Sequence, residues 1–142
     1  LVLVGVLKGA IPFLVDLSRN IEHPNLQFDY IGLTSYGLGT ESSRDPKITK
    51  DLDNSIFEKN VIIVEDVVDT GYSINKLLRL LRTREPKSLK VAALLSKPNA
   101  REIEVPIDYI GFSVPNRWFQ GSGMDTEEVG RQWLGVYENI KA

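Results

Sequence analysis

The segment VIIVEDVVDTGYS, residues 61–73, decides the fold class of this chain and locates its candidate functional site. Its first four residues, 61–64, are apolar and mostly β-branched, which predicts a short strand buried on both faces. The residues that follow, 74–83 (INKLLRLLRT), have apolar side chains at helical spacing and predict an amphipathic helix. A strand that leads into a helix is the repeating unit of α/β folds.

Three acidic residues, Glu65, Asp66 and Asp69, follow the predicted strand. Open α/β sheets bind ligands at the carboxyl ends of their strands, and a helix N-terminus offers free N–H groups to a phosphate. Neighbouring carboxylates suit sugar hydroxyls or Mg²⁺. The residues alone leave two interpretations open: a sugar-phosphate site, or an N-cap by Asp69 or Thr70 beside two solvated acids.

The rest of the sequence continues the alternation of strands and helices. Residues 1–7 form an apolar run typical of a buried parallel strand. Pro12 suits the first turn of a following helix, which we expect to end at residues 23–25. Further strands are predicted at residues 88–95, 107–114 and, for a short final strand, 133–137. The fold class is therefore α/β, with a parallel twisted sheet flanked by helices on both sides.

Residues 26–34 alternate between apolar and polar side chains, which predicts a half-buried strand. The apolar positions of that strand are Leu26, Phe28, Tyr30 and Leu33. Residues 35–55 are polar and rich in glycine. A stretch of that length inside a compact domain is more often functional or mobile than a simple connector.

The bulk composition is that of one ordinary globular domain, residues 1–142. The chain begins in the middle of a predicted strand, so we expect that it lacks an N-terminal segment. A net charge of −2 argues against nucleic acid as a partner, and no apolar run is long enough to span a membrane. The absence of cysteine excludes disulfides and thiolate metal sites and suits a reducing compartment, so we expect a cytoplasmic protein.

The central segment resembles the phosphoribosyl-pyrophosphate binding motif of type I phosphoribosyltransferases, in which a hydrophobic run and two acids precede Asp-Thr-Gly-x-Thr/Ser. Within that superfamily the chain is most similar to the hypoxanthine-guanine phosphoribosyltransferases, over residues 3–131. The resemblance implies the type I fold with a small C-terminal hood that binds the base. It also implies a homodimer or homotetramer that uses phosphoribosyl pyrophosphate, a 6-oxopurine base and Mg²⁺ to make IMP or GMP for purine salvage.

The resemblance assigns the central segment to the ribose and its phosphate. Glu65 and Asp66 would hold the ribose hydroxyls, directly or through a metal ion. Asp69 would be the catalytic general base, close to N7 of the purine. The turn that would bind the 5′-phosphate comprises Asp69, Thr70, Gly71, Tyr72 and Ser73.

Two distant segments resemble the pyrophosphate site of the family. VLKG at residues 6–9 is similar to the loop that binds pyrophosphate through Lys8 and Gly9, and that loop contains a non-proline cis peptide in the family. Arg131 matches a second pyrophosphate ligand, and Asp125 would help to hold the metal. Without the resemblance, Lys8-Gly9 is a plain turn and Arg131 is a surface charge.

The base site and a mobile loop complete the resemblance. Lys97 would read the 6-oxo group of the purine, Trp118 would stack on the base, and the backbone at Phe119 would meet the purine edge. Ser35 and Tyr36 resemble the start of a lid that excludes water. Family members often have Phe-Val-Val-Gly where this chain has Trp-Phe-Gln-Gly, so the preference among hypoxanthine, guanine and xanthine stays open.

Two alternative functions follow from the same residues. The first is a phosphoribosyltransferase for another base, such as xanthine or orotate, against which Lys97 and Trp118 argue. The second is a non-catalytic regulator with the same fold that binds the ligand or RNA. The near-neutral charge and the retained acids, together with Lys8 and Arg131, argue against that regulator.

Overall fold

The computed structural model describes residues 1–34 and 44–140 of the chain. The two α-helices in these residues are α1 (Ile11–Arg19) and α2 (Tyr72–Arg82), and a short 3-10 helix spans Pro98–Ala100. The strands are β1 (Val2–Leu7), β2 (Gln27–Leu33), β3 (Ile48–Lys50), β4 (Asn60–Val68), β5 (Ser88–Ser96), β6 (Tyr109–Ser113), β7 (Phe119–Gln120) and β8 (Tyr137–Glu138). No helix in the described residues is both long and apolar enough to cross a lipid bilayer.

Six strands form one twisted sheet in the order β3-β2-β1-β4-β5-β6. All neighbouring strands are parallel except β2 and β3, which are antiparallel. The sheet is therefore mixed, whereas the sequence predicted a parallel sheet. The difference arises from the antiparallel edge strand β3, which lies within the polar residues 35–55 and was not predicted. β1 and β4 are neighbours in the sheet although the chain leaves β1 for β2 on one side and β4 for β5 on the other. This change of direction opens a crevice at the carboxyl ends of β1 and β4.

The helices cover opposite faces of the sheet, as the sequence predicted. Leu14 of α1 is fully buried against Leu3 and Val64. The apolar stripe of α2, which includes Leu77 and Leu81, packs into a separate and larger cluster on the other face. These two layers hold the strands between them and fix where the strands end.

The central strand is longer than predicted. β4 runs through Glu65 and Asp66 to Val68, whereas the prediction ended it at residue 64. Glu65 pairs with Ala93 and Val67 with Leu95, so β5 supplies ladder partners beyond the apolar run. The charged side chains are tolerated because this end of β4 borders the cavity described below. The two acids therefore stand on a rigid strand and not in the following turn.

The buried face of β2 differs from the apolar pattern of its sequence. Phe28 is 46% exposed, whereas Asp29 is only 4% exposed. The Asp29 carboxylate accepts hydrogen bonds from the backbone N–H groups of Tyr30, Asp53 and Asn54. A buried carboxylate with this many donors anchors the segment between β3 and β4. A hydrogen-bonded carboxylate is thus buried on this face of β2 where the alternating pattern predicted an exposed polar residue.

A small C-terminal lobe, residues 116–140, follows the sheet and corresponds to the predicted hood. β7 and β8 pair antiparallel within it, with Phe119 opposite Glu138. Only Tyr137 of the predicted strand 133–137 belongs to β8, and β7 was not predicted. Both strands have two residues, which is too short for an alternating pattern to show.

Candidate active site

A cavity of about 580 Å³ lies at the carboxyl ends of β1 and β4 and beneath the C-terminal lobe. Most of the residues that the sequence assigned to a site line this one cavity, although they come from five separate parts of the chain. Those residues are Lys8, Gly9, Glu65, Asp66, Asp69, Thr70, Gly71, Ser73, Lys97, Trp118, Phe119, Asp125 and Arg131. Ser35 and Tyr36, predicted as the lid, lie outside the described residues.

The acid pair at the end of β4 forms the floor of the cavity. The Asp66 N–H donates to Glu65 Oε1 at 3.1 Å, and the Val67 N–H donates to Asp66 Oδ1 at 2.7 Å. Burial raises the pKa of Glu65 well above its ordinary value, and the neighbouring Asp66 charge raises that pKa further. Burial also raises the pKa of Asp66. A buried and a half-buried carboxylate on adjacent residues favour a ligand that brings hydroxyl donors or positive charge.

Gly9 ties the loop after β1 to both the acid pair and the lobe. A Cβ atom at Gly9 would overlap the Asp66 carboxylate, and a Cβ atom at Gly123 would overlap the Gly9 carbonyl oxygen. Only glycine allows the backbone to approach this closely. The peptide bond between Leu7 and Lys8 in this loop is cis, as the resemblance implied.

The turn between β4 and α2 presents backbone donors to the cavity. Gly71 precedes the first helical residue of α2 with φ of 97°, and no side chain caps the helix N-terminus. The first N–H groups of an α-helix lack partners within the helix and carry its positive dipole end. Thr70 and Ser73 line the cavity beside them, so the turn offers the kind of donors that bind anions at helix N-termini. The Tyr72 side chain instead donates to Glu102 Oε2 at 2.8 Å and does not line the cavity.

A segment that the sequence did not single out holds this turn in place. Arg101 donates from Nη1 to the Asp69 carbonyl oxygen and from Nη2 to Ser96 Oγ, both at 2.8 Å. The Thr70 carbonyl oxygen accepts from the N–H groups of Glu102 and Ile103. The bonds to Asp69 and Thr70 join residues about 30 positions apart, so no local pattern could have predicted them.

The side of the cavity near the lobe carries two cations and two acids. Arg131 Nη2 lies 3.2 Å from Asp125 Oδ1 and 3.1 Å from Glu128 Oε1. Lys8 Nζ lies 3.1 Å from Glu128 Oε2. Arg131 Nε is buried with no hydrogen-bond partner in the part of the chain that the structure describes. Glu128 was not predicted as a site residue, although it lies three positions before Arg131 in the sequence.

Glu128 occupies the tip of a two-residue hairpin turn. Thr126 and Val129 exchange backbone hydrogen bonds of 3.0 Å, with Glu127 (φ 51°) and Glu128 (φ 66°) between them. Positive φ at both central residues defines a type I′ turn, which usually contains Asn-Gly. A left-handed conformation costs a residue with a Cβ roughly 1 kcal/mol or more. The Glu128 N–H also donates to Asp125 Oδ2 at 2.8 Å, which holds the turn against Asp125.

The opposite side of the cavity is aromatic. Lys97 is only 7% exposed, and its Nζ lies 5.7 Å from the centre of the Phe119 ring, within cation–π range. Burial lowers the pKa of Lys97, and the negative charges of Asp69 and Asp66 partly offset that effect. Trp118 Nε1 donates to Thr126 Oγ1 at 2.8 Å, which fixes the orientation of the indole ring. An aromatic surface beside a buried ammonium suits a planar ligand with a hydrogen-bond acceptor.

The predicted metal ligands do not form one cluster. Within residues 1–34 and 44–140, no three His, Cys, Asp or Glu side chains gather closely enough to hold a metal ion. Glu65, Asp66 and Asp125 nevertheless line the same cavity and offer only carboxylate oxygens. Mg²⁺ is usually bound by one or two carboxylates together with substrate phosphates, so this donor set fits Mg²⁺ bound with a ligand.

The phosphoribosyl transferase domain model matches residues 1–127 of the chain. The chain belongs to this family. It is 45% identical over 125 residues to the hypoxanthine phosphoribosyltransferase of Salmonella typhimurium, an alignment that covers 88% of this chain and 70% of that protein. That relative therefore contains sequence beyond the region that this chain matches.

Solved structures agree with the family assignment. A hypoxanthine-guanine phosphoribosyltransferase from Bacillus anthracis superposes with a TM-score of 0.91 at 36% identity, covering 98% of this chain and 81% of that one. The hypoxanthine phosphoribosyltransferase of Trypanosoma cruzi in complex with the product IMP gives a TM-score of 0.87 at 33% identity, covering 99% of this chain and 76% of that one. The fold is therefore that of type I phosphoribosyltransferases, as the sequence indicated.

Proposed function

We propose that this chain transfers a 5-phosphoribosyl group from phosphoribosyl pyrophosphate to N9 of hypoxanthine or guanine, which gives IMP or GMP and pyrophosphate in purine salvage. One observation carries the proposal: a single cavity joins a turn with helix N-terminal donors, an acid pair, two cations and an aromatic surface. These four surfaces match the 5′-phosphate, the ribose, the pyrophosphate and the purine of one reacting complex. The names of the related enzymes support the same substrates.

The charge changes of the reaction match the charges of the cavity. Cleavage of the bond between C1′ and the pyrophosphate oxygen leaves positive charge on the ribose and negative charge on the leaving group. Glu65 and Asp66 would bind the ribose hydroxyls and favour the cationic ring. Lys8 and Arg131 would stabilise the departing pyrophosphate.

The purine would bind between Trp118 and Lys97. The Trp118 ring would stack on the base, and the Lys97 ammonium would donate a hydrogen bond to O6. Asp69 would accept the proton from N7 as N9 forms its bond to C1′. An amino group at position 6 cannot accept from an ammonium, so the buried Lys97 favours 6-oxopurines over adenine.

Mg²⁺ is part of the proposal because the donor set consists of carboxylates. Glu65, Asp66 and Asp125 would hold the ion together with substrate oxygens. The ion would supply positive charge that neutralises pyrophosphate oxygens. Removal of Mg²⁺ by EDTA should abolish activity, and added Mg²⁺ should restore it.

A purine panel tests the proposed function. Purified protein with phosphoribosyl pyrophosphate and Mg²⁺ should release pyrophosphate with hypoxanthine and with guanine and not measurably with adenine, and the rate with xanthine will complete the ranking of 6-oxopurines. Asp69→Asn should lower kcat, and Lys97→Ala should raise KM for the base. Turnover with orotate alone would support a different phosphoribosyltransferase, and release of no pyrophosphate with any base would support the regulator.

Two coarser features belong to the same proposal. We infer a cytoplasmic enzyme, because the chain contains no cysteine and one of its proposed substrates, phosphoribosyl pyrophosphate, is a phosphorylated metabolite. We infer a homodimer or homotetramer from the resemblance to the family. Light scattering after size exclusion should give two or four times the 15.9 kDa chain mass, and a monomer would contradict the assembly.

A further inference from the structure

One acidic side chain, that of Glu128, forms ion pairs with both cations of the proposed pyrophosphate site. The two carboxylate oxygens of Glu128 face different partners: Oε2 accepts from Lys8 Nζ and Oε1 accepts from Arg131 Nη2, each at 3.1 Å. Lys8 comes from the loop after β1, and Arg131 comes from the C-terminal lobe. A single carboxylate therefore bridges two parts of the chain at the position where the multiply charged pyrophosphate would bridge them.

We infer that Glu128 is an internal counter-ion that competes with pyrophosphate for Lys8 and Arg131 and thereby sets the affinity of the leaving-group site. The inference rests on the proposed function, because it takes these two residues as the pyrophosphate ligands. It gives Glu128 a role in the affinity for pyrophosphate that neither the sequence pattern nor the family resemblance assigned to this residue.

Glu128 can leave the cations more easily than the neighbouring acid can. Its side chain is 66% exposed at the tip of the hairpin turn, whereas the Asp125 side chain is 26% exposed. Asp125 also accepts the Glu128 backbone N–H, so its carboxylate is held by the turn itself. Rotation of the Glu128 side chain into solvent would free Lys8 and one donor of Arg131 without any backbone movement.

Two properties of the cations favour the exchange. Ion pairs that are exposed to this degree contribute little stability, so a multiply charged anion can displace the carboxylate. The buried Arg131 Nε has no partner among the described residues, so Arg131 retains a donor that the Glu128 carboxylate does not use.

Substitution of Glu128 by glutamine tests the competition, because glutamine keeps the shape and removes the charge. We expect Glu128→Gln to bind pyrophosphate about threefold to tenfold more tightly than the wild-type chain in calorimetry with Mg²⁺ present. The inhibition constant of pyrophosphate in the forward reaction should fall by the same factor, while KM for the base stays unchanged. Glu127→Gln is the matched control, since Glu127 is the other residue of the turn and does not line the cavity; it should behave as wild type.

The possible results separate the inference from the function beneath it. Lys8→Ala and Arg131→Ala should each weaken pyrophosphate binding, which tests the proposed leaving-group site independently of Glu128. Unchanged or weaker pyrophosphate binding by Glu128→Gln, with wild-type binding intact, would overturn the inference alone. Weaker binding would mean that Glu128 positions the cations, and unchanged binding would mean that it neither positions them nor competes for them. Absence of pyrophosphate binding by the wild-type chain would overturn both the proposed function and the inference.

Discussion

The end of β4 and the C-terminal lobe supply the two halves of the cavity, and they are built in different ways. β4 has a parallel neighbour on each side, and its residues Ile63 and Val64 are fully buried. The lobe contains one pair of two-residue strands, and Leu134 and Tyr137 on its surface are exposed. In the proposed reaction, the sheet half holds the sugar and its phosphate, while the lobe supplies the aromatic contacts of the base and, through Arg131, one ligand of the pyrophosphate. Under that proposal, the position of the ribose is set by the core, and the base is also contacted by side chains outside it.

The largest effect should come from the point at which the two halves meet. Gly9→Ala places a methyl group against the Asp66 carboxylate and should displace it from the ribose. A misplacement of about 1 Å in a catalytic group can cost about a hundredfold in rate, so we expect kcat/KM to fall by about that factor.

Steady-state kinetics with thermal unfolding should separate this effect from misfolding. Gly135→Ala is the matched control, because its methyl group would meet only the exposed Tyr137 ring and should leave the rate unchanged. An unchanged rate in Gly9→Ala would show that the close approach to Asp66 has no catalytic importance.

The sheet half should be the more sensitive to loss of a supporting contact. Arg101→Met removes the donors to the Asp69 carbonyl and to Ser96, so the turn that would bind the phosphate loses its anchor. A lost hydrogen bond to a partly buried group costs roughly 1–3 kcal/mol. We expect KM for phosphoribosyl pyrophosphate to rise about tenfold, with KM for the base little changed. Arg79→Met, on the exposed side of α2, should leave both values at the wild-type level.

The lobe half should affect the base and not the sugar phosphate. Phe119→Leu removes the ring beneath the Lys97 ammonium, and a cation–π contact contributes about 0.5–2 kcal/mol. KM for hypoxanthine should therefore rise about threefold to tenfold while KM for phosphoribosyl pyrophosphate stays constant. Phe119→Tyr should preserve the wild-type value, and Phe57→Leu, at an exposed site outside the cavity, serves as the control. Equal changes in both KM values would contradict the division of labour between the halves.

The smallest expected effect lies outside the cavity and concerns pH. Arg84 donates two hydrogen bonds to Asp51 and lowers the pKa of that carboxyl below its ordinary value of 3.8. A lowered folded-state pKa stabilises the protein above pH 4 or so, and the stabilisation is lost as the pH falls through the folded value. Asp51→Asn should reduce the free energy of unfolding at pH 7 by at most about 1 kcal/mol, because both side chains of the pair are partly exposed and solvent screens their charges.

Urea unfolding at several pH values checks that direction. The difference between wild type and Asp51→Asn should shrink as the pH falls below about 4. A difference that stayed constant down to pH 2 would show that the ion pair does not account for it.

The sequence predicted the elements whose patterns are local. The apolar run at residues 61–64 and the helical spacing of Leu77 and Leu81 depend on near neighbours, and both elements are present. The predicted carboxyl end of β4 was less accurate. We expected the strand to end before the charged residues Glu65 and Asp66, whereas it continues through them to the edge of the cavity. The expected buried face of β2 was also wrong, because Asp29 is buried there. Two of the backbone groups that stabilise its carboxylate belong to Asp53 and Asn54, which lie more than 20 positions away in the sequence.

The site was predictable only where a motif or a resemblance described it. The acids and the turn of the central segment follow from strand, helix and charge, whereas Lys97, Trp118 and Arg131 came from the family resemblance. Arg101 and Glu128 were missed because their roles depend on contacts across the fold. A hydrogen bond between residues that are distant in the chain produces no periodic pattern in the sequence, so pattern analysis cannot predict it.

The central claim is that the cavity carries out phosphoribosyl transfer, and product stoichiometry tests it most directly. Purified protein with phosphoribosyl pyrophosphate, hypoxanthine and Mg²⁺ should form IMP and pyrophosphate in equal amounts, and Asp66→Asn should slow both products alike. Pyrophosphate without IMP would indicate hydrolysis rather than transfer. Formation of neither product, by a chain shown to be folded, would contradict the account.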